Sequence, residues 1–224
     1  MKLYEYTAAP NPLRVRMFLA EKEIEIEKVQ IDLGKGEQFS EEFRKINPLC
    51  DVPVLQLDDG TCISQVNAIC RYFEEAYPDT PLFGRNAVEC AMVESQDHQA
   101  QIGIGMAGAE VFRNTSPGFK DRALTGPHNY AQIPALAERG LLRVGHAFED
   151  LNKHFAHSQF MVGDYFSIAD ITVYAFIGFA RWSKLTIPEQ CTDLQRWFNE
   201  VKSAPALKPN IKQKQKGLTT TALR

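Results

Sequence analysis

Apolar positions recur at one rhythm before residue 80 and at another after it. Leu3, Tyr4 and Tyr6 open the chain in a β-type pattern. Asn11-Pro12 reads as a helix start, with Asn as the cap and Pro at the first helical position. Val15, Phe18, Leu19 and Lys22 follow at helical spacing, so that a stripe faces a core. Ile24, Ile26, Val29 and Ile31 predict a second strand, and Ser40 to Ile46 a short helix after the break at Gly34 and Gly36. Val52 to Leu57 is a third strand, Asp58-Asp59-Gly60 a hairpin signal, and Thr61 to Ile63 the returning strand. Ser64 to Tyr77 is helical, with Ala68, Ile69, Tyr72 and Phe73 on one face. The predicted order is β-α-β-α-β-β-α.

Pro78 to Pro81 is turn-rich and marks a domain boundary. Beyond it only helices are predicted, over 87–115, 129–156, 167–183 and 192–203, with Asn114 to Pro127 as an irregular interruption. The expected domains are 1–79 and 86–208, followed by a polar tail, 209–224.

Composition narrows the function classes. The chain of 224 residues is 44% hydrophobic and carries a net charge of −3, which gives no global attraction to nucleic acid or anionic lipid. No apolar run is long enough for a membrane helix, and the opening Met-Lys-Leu-Tyr-Glu-Tyr lacks the apolar core of a signal peptide, so a cytoplasmic location is expected. Five cysteines, with no Cys-x-x-Cys pair, argue against a disulfide framework or zinc site. His154 and His157 are the one close histidine pair, and they read as a helix end rather than a metal site.

Four places carry candidate chemistry. Pro53, in a strand pattern, fits either a cis bond that turns the chain or a commoner trans proline on an edge strand. The cis form would leave the Val52 backbone free to pair with an extended, peptide-like ligand. Ser64-Gln65-Val66-Asn67 lies where strand gives way to helix, a place for an anion or for simple capping by Ser64. The Asn11 amide either caps its helix or donates to an anion. Ser167-x-x-Asp170 is a capping box, with a folding role.

In order and spacing, Val52-Pro53-Val54-Leu55, Ile63 to Ile69, and Gly163-Asp164 with Phe166 to Asp170 resemble the cytosolic glutathione transferase family over roughly residues 1–205. The resemblance implies an α/β thioredoxin-like N-terminal domain, an all-α C-terminal domain and a homodimer. It also implies a cis Pro53 and glutathione as co-substrate. Glutathione would be bound through Gln38, Val52, Pro53, Gln65 and Val66. The expected activity is attack of the glutathione thiolate on a hydrophobic electrophile or a disulfide. The alternatives are a glutathione-dependent reductase or peroxidase, and a non-catalytic binding protein on the same scaffold.

The chain departs from the family pattern in several places. The usual Glu-Ser pair is Gln65-Val66, a cation before the proline is replaced by Asp51, and the Ser, Thr or Cys that activates the thiol is Ala9. Each of the first two changes removes attraction for an anionic tripeptide, and the third excludes cysteine chemistry at that position. Asn11 and Tyr6 remain as thiol-activating residues. Met106, Ala109 and Phe112 are expected to line the electrophile pocket, beside the helix-weakening series Gly103, Gly105 and Gly108.

Overall fold

The computed structural model describes residues 1–203; the expected tail and the last residues of the expected second domain lie outside them. The first half contains β1 (Lys2–Glu5), α1 (Pro10–Glu21), β2 (Glu27–Gln30), α2 (Glu41–Ile46), β3 (Val54–Gln56), β4 (Cys62–Ser64) and α3 (Val66–Ala76). The sheet runs β2-β1-β3-β4. β1 is parallel to β2 and antiparallel to β3, and β3 is antiparallel to β4. Side-chain alternation splits the core into two layers. Leu3 and Leu55 meet Val15, Phe18, Ile69 and Phe73 of α1 and α3. Val52, Val54 and Ile31 meet Phe43 of α2, together with Tyr4 and Tyr6. This is the mixed α/β class that the pattern predicts.

Element boundaries depart where local chemistry decides them. β1 stops at Glu5 because the Tyr6 carbonyl turns to accept the Ala9 N–H, at 2.9 Å. β2 is shorter than its apolar pattern, and Ile24 and Ile26 pack on the core from the irregular stretch that precedes it. α1 begins two residues earlier than expected, with Ala9 as cap and Pro10 inside the first turn, so Asn11 is a first-turn residue and not the cap. Ser64 does not cap α3, since it still pairs with Val54 in the ladder; Gln65 occupies the cap position without a side-chain cap bond.

The second half contains α4 (Ala87–Ala100), a wide π-helical turn (Gln101–Met106), α5 (Ala107–Thr115), α6 (Pro134–Phe155), α7 (Ile168–Ala180) and α8 (Thr192–Ser203). The expected helix over 87–115 is thus one continuous path that widens in the middle. At Gly105 this path meets α7 closely, because a Cβ there would lie 2.7 Å from the Phe176 ring. α6 starts at Pro134 rather than 129, since Tyr130 instead bonds back to the loop through Ala123 N–H at 2.9 Å. Its inward face is Ala137, Gly140, Val144, Phe148 and Phe155. Leu141 and Leu142 fall off that face and are exposed.

The Ser167–Asp170 capping box is present. Met161 N–H also donates to Asp170, at 2.9 Å, and burial pushes its carboxyl up to about 7. One apolar core runs through both halves, joining Phe18 and Phe73 to Ile104, Ile171 and Phe176. Among the described residues no helix is long and apolar enough to cross a membrane.

Candidate functional site

Three chain segments converge on one edge of the sheet. The first is the start of α1. Pro10 and Pro12 lack N–H groups, and Leu13 N–H bonds the Ala9 carbonyl at 3.2 Å. Of the donors that a helix start normally offers, this leaves the Asn11 N–H, backed by its own side-chain amide. Asn11 is exposed, and its Oδ1 accepts from Arg14 Nη1 at 3.3 Å. That bond turns the amide so that Nδ2, the donor end, points away from Arg14.

The second segment is Asp51-Val52-Pro53. The Val52–Pro53 bond is cis, as the resemblance implies. Among the described residues, the Val52 N–H and C=O have no backbone partner. The third segment is Gln65-Val66. Gln65 sits at φ 74°, ψ 131°, a region an L-residue rarely adopts, held there between the β4 ladder and the first turn of α3. Its Nε2 donates to Asp51 Oδ2 at 3.3 Å, and Asn47 Nδ2 donates to Asp51 Oδ1 at 2.6 Å. Asp51 and Gln65, separate departures in the sequence, therefore form one acceptor-rich corner. Gln65 Oε1 and the Asp51 carboxylate can together receive an ammonium group. Gln38 lies on the short turn Glu37–Phe39, with a buried Oε1 that has no hydrogen-bond partner among the described residues.

Tyr6 is half-buried and packs against the cluster of Ile31, Phe43, Val52 and Val54, which includes the site residue Val52. Met106 is more than half exposed, while Phe112 packs edge-on to Phe119, Phe179 and Trp182, at 5.2–5.4 Å between centroids. Trp182 is 46% exposed, so this aromatic group opens an apolar face to solvent.

A buried polar network beneath Asn11 escaped the sequence reading. Arg14 is 2% exposed and Asp97 is fully buried. Arg14 donates to Thr172 at 2.9 Å, Asn67 at 3.0 Å and Asp97 at 3.3 Å. Asp97 also accepts from Asn67 at 2.6 Å, from Gln101 at 2.7 Å and from the Thr172 hydroxyl. Burial pulls the Arg14 guanidinium below its ordinary value, and Asp97 opposes that pull. The network ties α1 and α3 to α4, the π turn and α7. Its sequence signal was available: Arg14 falls on the inward stripe of α1, and Asp97 on the stripe of Val93, Ala100 and Ile104. Two opposite charges at core positions call for each other.

The five cysteines are free thiols, and burial pushes Cys70 upward. His154 Nε2 pairs with the Phe160 carbonyl at 2.9 Å, and no group of three His, Cys, Asp or Glu among the described residues is arranged to hold a metal.

Comparison with known proteins shows the family. Residues 1–75 match the model of the glutathione S-transferase N-terminal domain, and residues 117–205 that of the C-terminal domain. The chain belongs to the glutathione S-transferase family. It is similar to glutathione S-transferase 2 of Saccharomyces cerevisiae, 31% identical, with 93% of this chain and 88% of the relative covered. Its fold is similar to that of a glutathione S-transferase domain-containing protein from Marinobacter aquaeolei VT8, with a TM-score of 0.86 and 34% identity over 93% of this chain and 100% of that one. It is also similar to elongation factor 1-gamma 1 of rice, 27% identical over 80% of this chain and 42% of that protein. This chain thus spans less than half of that longer protein.

Proposed function

We propose that this family member is a glutathione transferase. Glutathione lies along the sheet edge, with its cysteinyl backbone paired to Val52 beside the cis proline. The γ-glutamyl ammonium meets Gln65 and Asp51, and the γ-glutamyl carboxylate meets the Val66 N–H at the start of α3. The Asn11 donors face the sulfur. The unpaired Val52 backbone carries this reading, because a buried strand end with free polar groups calls for a peptide partner.

The magnitudes are sufficient. Lowering a thiol pKa by one unit takes about 1.4 kcal/mol of preferential thiolate stabilisation. A helix start supplies about 0.3–1 kcal/mol, and one hydrogen bond to a charged group about 1.5–3 kcal/mol. Asn11 with the α1 terminus therefore reaches roughly one to three units, whereas the terminus alone stays below one. Arg14 strengthens the donor by polarising the Asn11 amide from behind. The thiolate then attacks an electrophile held by the apolar face near Phe112 and Trp182. The sulfur forms the new bond, and the leaving group departs with its electron pair. Asn11 takes the role here and Tyr6 does not, since Tyr6 is engaged in packing.

The assembly we propose is a homodimer, in the cytoplasm. Exposed Val88 and Met92 on α4, beside Ala87 and Ala91, offer an apolar strip to a second copy. Sedimentation of a monomer at micromolar concentration would refute the dimer.

A second reading is a non-catalytic binding protein. It rests on Ala9 in place of an activating side chain and on the likeness to elongation factor 1-gamma. Calorimetric titration with glutathione, followed by turnover with panels of electrophiles and disulfides, separates the two. Binding with turnover supports the enzyme, and binding without turnover supports the second reading. No binding at millimolar glutathione overturns the glutathione site.

A further inference from the structure

We propose that Arg122, on the loop between α5 and α6, receives the glycine-end carboxylate of glutathione. The inference rests on the glutathione reading above and adds a cation at the glycine end of that site.

The loop is built to hold Arg122 in place. Ala123 N–H bonds the Tyr130 carbonyl at 2.9 Å, Tyr130 N–H bonds the Asp121 carbonyl at 3.0 Å, and Gln132 N–H bonds the Lys120 carbonyl at 3.2 Å. Arg113 Nη1 donates to the Arg122 carbonyl at 3.1 Å. So anchored, the loop crosses onto the N-terminal domain at two points. The Arg122 guanidinium stacks 3.8 Å above the ring of Phe39. A Cβ at Gly126 would lie 3.7 Å from the Leu49 carbonyl. These points set the loop against Phe39, next to Gln38, and against Leu49, two residues before Asp51.

The charge balance points to an anion. Arg122 bonds only neutral acceptors here, Asn129 Oδ1 at 3.3 Å and the Gly126 carbonyl at 2.9 Å, which engage two of the five donors of a guanidinium. Arg113 lies close enough for the Arg122 charge to push its guanidinium below the ordinary value, on top of burial. Among the described residues, neither arginine has a carboxylate within 4.0 Å. Two neighbouring cations without a counter-charge are relieved by a carboxylate, which a planar guanidinium binds through two parallel bonds.

Peptide direction then selects the carboxylate. With the cysteinyl backbone on Val52 and the γ-glutamyl end at Gln65, the glycine end runs away from α3. One extended residue spans about 3.3 Å, which takes the chain toward the Gln38–Phe39 turn that Arg122 covers.

The test compares glutathione with its C-terminal glycinamide, which keeps every other group. Calorimetric Kd values are measured for the wild type, R122Q and R122K, with thermal melts to establish folding. The wild type is expected to bind glutathione about tenfold more tightly than the amide, with the preference shrinking as salt rises. R122Q is expected to lose about tenfold for glutathione and nothing for the amide, and R122K to recover part of the loss. Equal wild-type affinity for the two ligands, or equal weakening of both in R122Q, overturns the assignment. Should R122Q fail to fold, R122M is measured with the same ligand pair, and equal weakening of both ligands, or of neither, overturns the assignment. A wild type that binds neither ligand overturns the glutathione reading itself, a result distinct from failure of the Arg122 assignment alone.

Discussion

Replacing Arg14 with methionine tests the buried network that joins the two halves of the chain. Methionine keeps much of the apolar stem and removes the charge and its donors. The loss falls chiefly on Asp97, which is fully buried and would keep only Asn67 Nδ2 at 2.6 Å, Gln101 Nε2 at 2.7 Å and the Thr172 hydroxyl. Breaking a buried ion pair from one side costs about 3–5 kcal/mol, because a charge is left desolvated. Three surviving donors put this case near the lower end, about 3 kcal/mol. A domain of this size has only about 5–15 kcal/mol of stability to lose, and about 2–4 °C of Tm goes with each kcal/mol. R14M should therefore melt about 6–12 °C lower, with a matching drop in urea midpoint and an unchanged m-value. The double variant R14M/D97N removes the stranded charge as well. It should lose less than the two single losses added together, by at least about 0.5 kcal/mol. If R14M costs under about 1 kcal/mol, or if the two single losses simply add, the network is ornamental and the reasoning fails.

Asn11→Ala should raise the pKa of the bound glutathione thiol by about one unit or more, read from thiolate absorbance; the same pKa in both proteins removes Asn11 from the mechanism. On α6, a Cβ at Gly140 would sit 2.8 Å from the Ala107 carbonyl, whereas one at Gly145 meets nothing within 4 Å. G140A should therefore destabilise by about 1–3 kcal/mol and G145A stabilise by up to about 1 kcal/mol, and equal effects in urea melts would show that helix propensity outweighs packing. Asp170, raised by burial to about 7 from 3.8, binds its proton in the folded chain at a pH where the unfolded chain does not. The proton-linked stability is fully present below about 3.8 and is lost as pH rises to about 7. D170N should abolish that slope, and parallel stability–pH profiles for the two proteins would refute it.

The order of elements was legible because apolar spacing follows burial, and burial is what the fold repeats. Element ends were less so, since a single competing bond moves them: the Tyr6 carbonyl closes β1, and Pro10 rather than Pro12 opens α1. The site was legible where residues lie close along the chain, as in Val52-Pro53 and Gln65-Val66. It was less legible where meaning depends on contact across the chain. Asp51 and Gln65 read as two separate losses of attraction until they were seen 3.3 Å apart. Arg122 gave no local signal at all, being one arginine in a polar loop. Its meaning comes from landing on Phe39, 83 positions away in sequence (122 − 39).

The shared core has a consequence for engineering. The two halves match two separate family models, which invites exchanging them between relatives as modules. Yet Phe18 and Phe73 pack in one cluster with Ile171 and Phe176, and the partners of Arg14 include two residues from the second half, Asp97 and Thr172. An excised first half would present an arginine stripped of its carboxylate partner in the middle of a greasy surface. A hybrid would inherit the same fault unless the donor and recipient agreed at Arg14, Asn67, Asp97, Gln101 and Thr172 together. The heritable unit of this protein is the seam as much as either piece it joins.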